Sequence, residues 1–372
     1  MERLKSVTAE PASPPRSGAA REILSQLKYH APFLCLALGV LIASEILKFR
    51  LARITSDDFL LLVTGPFLFM LLLIPALLPM IFFKVAVFEK ASSPLRALAA
   101  GVGNFVIADG RIIRGLAMLL AIYLFMAGFA TFKALIPAVQ PFAWDALFDQ
   151  WDRVLHFGYR PWELLQPILG YPPVSALINI NYNFWFISLT MFWLHFAFEE
   201  KPGVLRSQAI LSFLLTWTVG GVCLAMVFSS AGPCYFGRLG LGYDPYAGLM
   251  TYLHTTSQAW PIWSMELQDT LWENYTSSVG GDMTKGISAM PSMHNGQSLL
   301  LVLATWNKHK LVRNLAVGHG LLVFLGSVLL GWHYAVDAYL AVIIAAVAWA
   351  AAGHLARVWE ARQELNLAVS RR

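Results

Sequence analysis

Long apolar runs broken by short polar segments organise this chain. Eight such runs fall at about residues 30–48, 59–83, 113–136, 174–198, 207–229, 292–306, 314–332 and 335–354. A bilayer span needs about 20 mostly apolar residues. Each run therefore predicts a membrane-spanning helix, and the predicted fold class is all-α, a polytopic membrane helix bundle. The run 292–306 is short and begins with polar residues, which predicts that it starts inside a protein-lined cavity. Residues 84–112 are too polar to span and too apolar for a plain loop, and predict an interfacial segment. Residues 1–29 are polar, with Pro11, Pro14 and Pro15 and no apolar core of a cleavable signal, and predict a disordered basic tail. Residues 357–372 predict a second polar tail.

Composition agrees with the pattern. Of 372 residues, 57% are hydrophobic and 13% charged, against about a quarter charged in an ordinary soluble domain. The net charge of +5 is spread over short segments between runs, with no basic patch suited to nucleic acid. Basic residues bias four segments toward the cytoplasm: the N-terminal tail, residues 84–112, residues 307–314 and the C-terminus. Eight spans place all four on one side, so residues 137–173 and 230–291 face the other way. The link with Arg50 and Arg53 is the exception, which this topology puts outside. Cys35, Cys223 and Cys234 form neither a paired framework nor a CxxC metal site, and read as small buried hydrophobes. Asn274-Tyr275-Thr276 is an outer-loop glycosylation sequon that matters only in a secretory-pathway membrane. The compact chain with short connections favours a bacterial inner membrane.

The candidate chemistry lies where spans begin. Ser292-Met293-His294 opens the sixth run, and Gly331-Trp332-His333-Tyr334-Ala335-Val336-Asp337 joins the seventh to the eighth. Histidine and aspartate are costly in a bilayer, and the charge-derived topology puts all three ionisable residues at one face. His333 and Asp337 are four apart; a helix starting near Trp332 stacks them on one side. Asp337 then fixes the His333 tautomer and leaves the other ring nitrogen free to attack. His294 approaches from a second helix as general acid. Pro291 suits a first helical turn, and Ser288 or Ser292 can cap it, giving an anion site at a helix N-terminus. Two histidines and a carboxylate can also hold zinc, but the helix-start serines suit an anion better. The pattern points to phosphoryl transfer through a phosphohistidine. A transporter or a non-catalytic lipid-binding protein is the other class; it predicts acids along several spans, whereas here they gather at one face.

Residues 286–294, Gly-Ile-Ser-Ala-Met-Pro-Ser-Met-His, and residues 331–337 resemble the second and third signature motifs of the type-2 phosphatidic-acid phosphatase superfamily. Their wording is most similar to its inositolphosphorylceramide synthase-like branch, and the resemblance covers roughly residues 140–372. It implies that His333 is the nucleophile, that Asp337 orients it, and that His294 protonates the leaving group and then activates the acceptor. It further implies no metal or other cofactor, membrane lipids as substrates and an alcohol head group as possible acceptor; the charge-derived topology puts the site on the periplasmic face. It implies a six-helix core with about two added N-terminal spans. The chain then divides into a cytoplasmic tail (1–29), N-terminal spans and interfacial segment (30–112), a catalytic membrane domain (113–356) and a cytoplasmic tail (357–372). Transfer to an alcohol and plain hydrolysis of a lipid phosphate or isoprenyl pyrophosphate share the intermediate.

The chain departs from the family in its basic residues. The first motif, a lysine with Arg-Pro seven residues on, is not evident. The third motif carries Ser327 where many members have an arginine six residues before the histidine. Arg238, which follows Gly232-Pro233-Cys234-Tyr235-Phe236, and Lys285 are the outer-side basic residues expected to hold phosphate, with Ser288 and Ser292 beside them. Asp145, Asp149 and Asp152, interleaved with Trp144, Phe148 and Trp151, predict an amphipathic helix at the outer interface with its acidic face in water.

Overall fold

The computed structural model describes residues 16–51, 92–97, 111–199, 203–277 and 286–370. The expected span 59–83, most of the interfacial segment 84–112, residues 1–15 and Lys285 lie outside the described residues. Among the described residues the secondary structure is entirely helical, as the apolar runs predict. In chain order the helices are α1 (Arg16–Arg50), α2 (Arg111–Val139), α3 (Asp145–Leu155), α4 (Pro161–Leu169), α5 (Pro172–Ala197) and α6 (Val204–Thr216). The π-helical turn Trp217–Leu224 and Ala225–Val227 continue α6, and a 3-10 turn, Pro233–Leu239, follows. Then come α7 (Ala247–Ser257), α8 (Trp263–Thr276), α9 (Met293–Thr305), α10 (Lys310–Leu329) and α11 (Ala335–Ser370).

Five of these, α1, α2, α6 with its continuation, α10 and α11, are long and apolar enough to cross a membrane. The protein is a multi-pass membrane protein. Helix α5 has the length, 26 residues, but carries Asn179, Asn181 and Asn183. These amides are used inside the bundle: Asn181 Oδ1 meets His319 Nδ1 on α10 at 2.9 Å. Helix α9, at 13 residues, is about 20 Å long, short of a bilayer core of about 30 Å. Its first turn lies against the site described below.

Two ends of the bundle emerge. At one, Tyr29 of α1 donates a hydrogen bond to Glu360 of α11, and Ser207 of α6 donates to the same carboxylate. The described part of the expected disordered tail is helical from Arg16, and α11 continues through the expected C-terminal tail to Ser370. At the other end lie the described segments 140–171, 228–277, 286–292 and 330–334, and the candidate chemistry sits in them and in the first turns of α9 and α11 that follow.

The acidic helix α3 is also corrected. Asp145, Asp149 and Asp152 are 1%, 9% and 2% exposed; the acidic face meets protein. Asp145 accepts from the backbone N–H groups of Ala231 and Gly232 and from the Tyr334 hydroxyl. Asp152 accepts from the N–H groups of Ala335 and Val336, at 2.8 and 3.0 Å, at the positive end of α11. Asp149 accepts from Tyr246 and pairs with Arg160. Periodicity marks a polar face; it does not say whether water or backbone donors satisfy it.

Candidate active site

Three chain segments meet beneath α3. The loop at Ser230–Cys234 is the spacer between the other two. Ala289 N–H donates to the Ser230 carbonyl at 2.9 Å and Met290 N–H to the Ser230 hydroxyl. Cys234 N–H donates to the Gly331 carbonyl at 2.8 Å. Gly232, at φ +105°, makes the crossing possible: a Cβ there would stand 2.7 Å from the Trp332 carbonyl oxygen. The two motif segments also touch directly, with Ser292 N–H donating to the Asp337 carbonyl at 3.1 Å.

His333 and Asp337 are joined as the spacing predicts, by a different local structure. Helix α11 starts at Ala335, so His333 lies in the turn before it, not on its face. Asp337, in the first turn, reaches back: Oδ2 accepts from the Tyr334 N–H at 3.1 Å and stands 3.2 Å from His333 Nδ1. This is the carboxylate half of a capping box. His333 is 8% exposed and Asp337 fully buried. The second Asp337 oxygen, Oδ1, has no partner among the described residues.

His294 faces this pair from the first turn of α9, its ring centroid 6.2 Å from that of His333. It is stacked on Tyr182, with centroids 4.6 Å apart, and packed on Trp185 at 4.0 Å, both from α5. The Trp185 indole N–H donates to the His294 carbonyl. The ring is held by aromatic faces, and its Nε2 is buried without a partner among the described residues.

A cavity of about 480 Å³ opens between the two imidazoles and runs along α2, α5 and the π-helical turn. His294, His333 and Ser288 line it with Tyr182, Trp185 and, from α2, Lys133. Gly221 forms part of its wall, where a Cβ would meet Phe129 at 2.7 Å.

The expected phosphate-binding residues divide. Ser288 reaches the cavity. Ser292 occupies the N-cap of α9 but makes no cap hydrogen bond with its side chain; its hydroxyl accepts from Asn295 inside the protein. Pro291 precedes that cap instead of standing in the first turn. Arg238 is not part of the cavity lining; it pairs with Asp269 and lies over Tyr235 and Trp272. Ser327 is fully buried and receives a hydrogen bond from Asn295, so this position is part of the packing beneath the motifs. Sequence reasoning missed Lys133, whose signal was a lysine within the run 113–136.

Outside the spans, burial raises the Asp145 carboxyl above its usual range. Burial also pushes Asp152 up to about 7, against the opposing pull of two backbone N–H donors.

No curated protein and no solved structure matches the sequence. Residues 147–351, more than half of the chain, match the profile of the PAP2 superfamily. Those residues include both motif segments and helices α5 to α10, and the chain belongs to the PAP2 superfamily, whose membership supports a phosphatase-type lipid phosphoesterase.

Proposed function

We propose that the protein is a metal-independent lipid phosphotransferase that works through phospho-His333 at the periplasmic face of a bacterial inner membrane. The observation that carries this is the Asp337-braced imidazole of His333 facing the His294 imidazole across one cavity. With the proton of His333 on Nδ1, toward Asp337, Nε2 holds the lone pair. Nε2 attacks the phosphorus of a lipid phosphoester; an N–P bond forms as the P–O bond to the leaving group breaks. Protonated His294 gives its proton to the departing oxygen. The acceptor then loses its proton to His294 and attacks the phosphorus, the N–P bond breaks, and both histidines return to their starting state. Asp337 holds the tautomer and offsets the positive charge that develops on His333.

Transfer to an alcohol is favoured over hydrolysis by an aromatic, largely apolar cavity, since a pocket that excludes water protects the phosphoenzyme. The wording of the two motifs supports the same choice and an inositolphosphotransferase-like reaction. Hydrolysis of a lipid phosphate or isoprenyl pyrophosphate is the second reading, supported by the family itself.

The test is to incubate purified protein with lipid phosphates and phosphodiesters, with and without alcohol acceptors, and to identify products by mass. A head-group phosphoryl product that appears only with an alcohol is expected. Release of inorganic phosphate regardless of acceptor would select the hydrolase. Turnover is expected to persist in chelator; loss restored by zinc or magnesium would replace this mechanism with a metal-dependent one.

A further inference from the structure

Helix α3 is amphipathic with its polar side turned inward. Asp145, Asp149 and Asp152 meet protein donors, and Glu163 on α4 accepts from the Arg160 N–H. The side left outward is apolar. Trp151, Val154, Leu155, Tyr159 and Ile168 are exposed, and Phe157, at the tip between α3 and α4, is 94% exposed. Water disfavours such a surface. Phe157 also sits at φ +59°, a left-handed conformation that a bulky side chain rarely adopts. The tip is held in it. Gly158 N–H donates to the Arg153 carbonyl at 2.7 Å and Tyr159 N–H to the His156 carbonyl at 3.1 Å. His156 Nε2 stands 2.8 Å from the Tyr339 hydroxyl on α11.

The position of this hairpin says what covers it. Helix α3 packs on α11 and α4 on α10, and both partners are membrane-crossing helices. Tyr339 lies one turn into α11, about 6 Å along its axis. Val342 and Ile343 follow it and are exposed; on a spanning helix an exposed apolar side meets lipid. The apolar side of the hairpin continues that surface. Its composition is that of a membrane interface: Trp151, Tyr159 and Tyr171 are exposed along it, its carboxylates are turned away, and Arg153 is an outward cation. We infer that residues 150–171 are embedded in the leaflet on the side of the candidate site, with Phe157 as a wedge at the boundary of head groups and acyl chains. The wet side expected from periodicity is thus the lipid side's opposite: the acids face protein and the apolar face meets lipid. On its inner side α3 holds the Ala335 and Val336 N–H groups through Asp152, directly after His333 and Tyr334. One helix therefore grips lipid on one face and the motif on the other, and sets the height of the motif relative to the bilayer. Nothing in this inference depends on the phosphoryl-transfer reading.

The full-length protein is reconstituted in phosphatidylcholine–phosphatidylglycerol nanodiscs containing a phosphatidylcholine with a photoreactive diazirine in its acyl chain. After illumination, peptide mass is expected to find lipid adducts within residues 150–171 and on the exposed side of α11 near Ile343, and none at residues 273–277. In a second arm, Phe157→Cys, Ile168→Cys and Thr276→Cys are treated with a charged, membrane-impermeant thiosulfonate, and each site is followed by peptide mass. Thr276 is exposed at the end of α8. The thiols at 157 and 168 are expected to react roughly 10-fold or more slowly than the thiol at 276. The two positions are independent, so one variant that fails to fold leaves the other to decide. Reaction at 157 and 168 as fast as at 276 would overturn the inference and leave the face open to a soluble partner. Slow reaction with lipid adducts on α11 but none in residues 150–171 would also overturn it, and would assign the cover to protein.

Discussion

Lys133 and Arg206 are both basic residues placed within the bundle, and their surroundings differ. Arg206, 1% exposed, lies near the start of α6. Its guanidinium donates to the carbonyls of Phe196 and Ala197 at the end of α5 and meets His30 Nε2 at 3.2 Å. A cation on the carbonyl end of a helix is favourably placed, and this one ties α1, α5 and α6 together. Lys133 stands near the opposite end of the bundle, facing a cavity and two imidazoles. A cation held on backbone carbonyls is structural; Lys133 instead lines a cavity. The same contrast separates the carboxylates. Asp145 and Asp152 give both oxygens to donors of neighbouring segments, whereas Asp337 leaves Oδ1 without a partner among the described residues.

The contrast makes opposite demands on activity and stability. At the cavity end, His333→Ala removes the proposed attacking atom; turnover is expected to fall by at least about 10⁴-fold with the thermal midpoint in detergent little changed. Retained turnover would remove His333 from the mechanism and the cavity from the active site. At the far end, Arg206→Met strands carbonyls and is expected to cost about 3 kcal/mol. Specific activity of the folded fraction should be unchanged, as measured by unfolding and by assay after size exclusion. A loss of turnover without a loss of stability would break the distinction.

Asp145→Asn tests the intermediate case. It keeps the shape but weakens charge-assisted bonds to Ala231, Gly232 and Tyr334. A loss of about 2 kcal/mol is expected, with a smaller fall in turnover through the displaced spacer loop. The smallest effect belongs to Asp152. Its carboxyl is raised by burial to about 7 from 3.8, so between those values the folded protein holds a proton that the unfolded chain has released. Its contribution to stability is therefore greatest at low pH, is lost as pH rises toward 7 and is flat above. Asp152→Asn is expected to flatten that part of the stability–pH curve; an unchanged slope would assign the dependence to another group.

Much of the architecture was legible in the sequence, for a physical reason. Backbone polar groups in a bilayer must be satisfied within a helix, so apolar run length leads almost directly to element type. The runs at 113–136, 174–198 and 335–354 each fall inside an observed helix, apart from a residue at the end of the second. The His333–Asp337 contact was also legible, because residues four apart stay close whether in a helix or in the turn that starts one. Lys133 was present as a signal, a lone lysine in an apolar run, but nothing in one dimension said which way it faced. Arg238 was legible as a charge, but its pairing with Asp269 was not, because that partner comes from another element, α8.

By itself the sequence determined the helical bundle, the membrane setting and the His333–Asp337 contact, because these depend on composition and on spacings within one turn. Tertiary structure alone decided that the acidic face of α3 clamps the loops bearing the motifs. It also decided that Ser292 and Arg238 turn away from the cavity and that Lys133 turns into it. Those outcomes rest on which donor or acceptor arrives from a distant segment, and a buried charge takes its role from that neighbour.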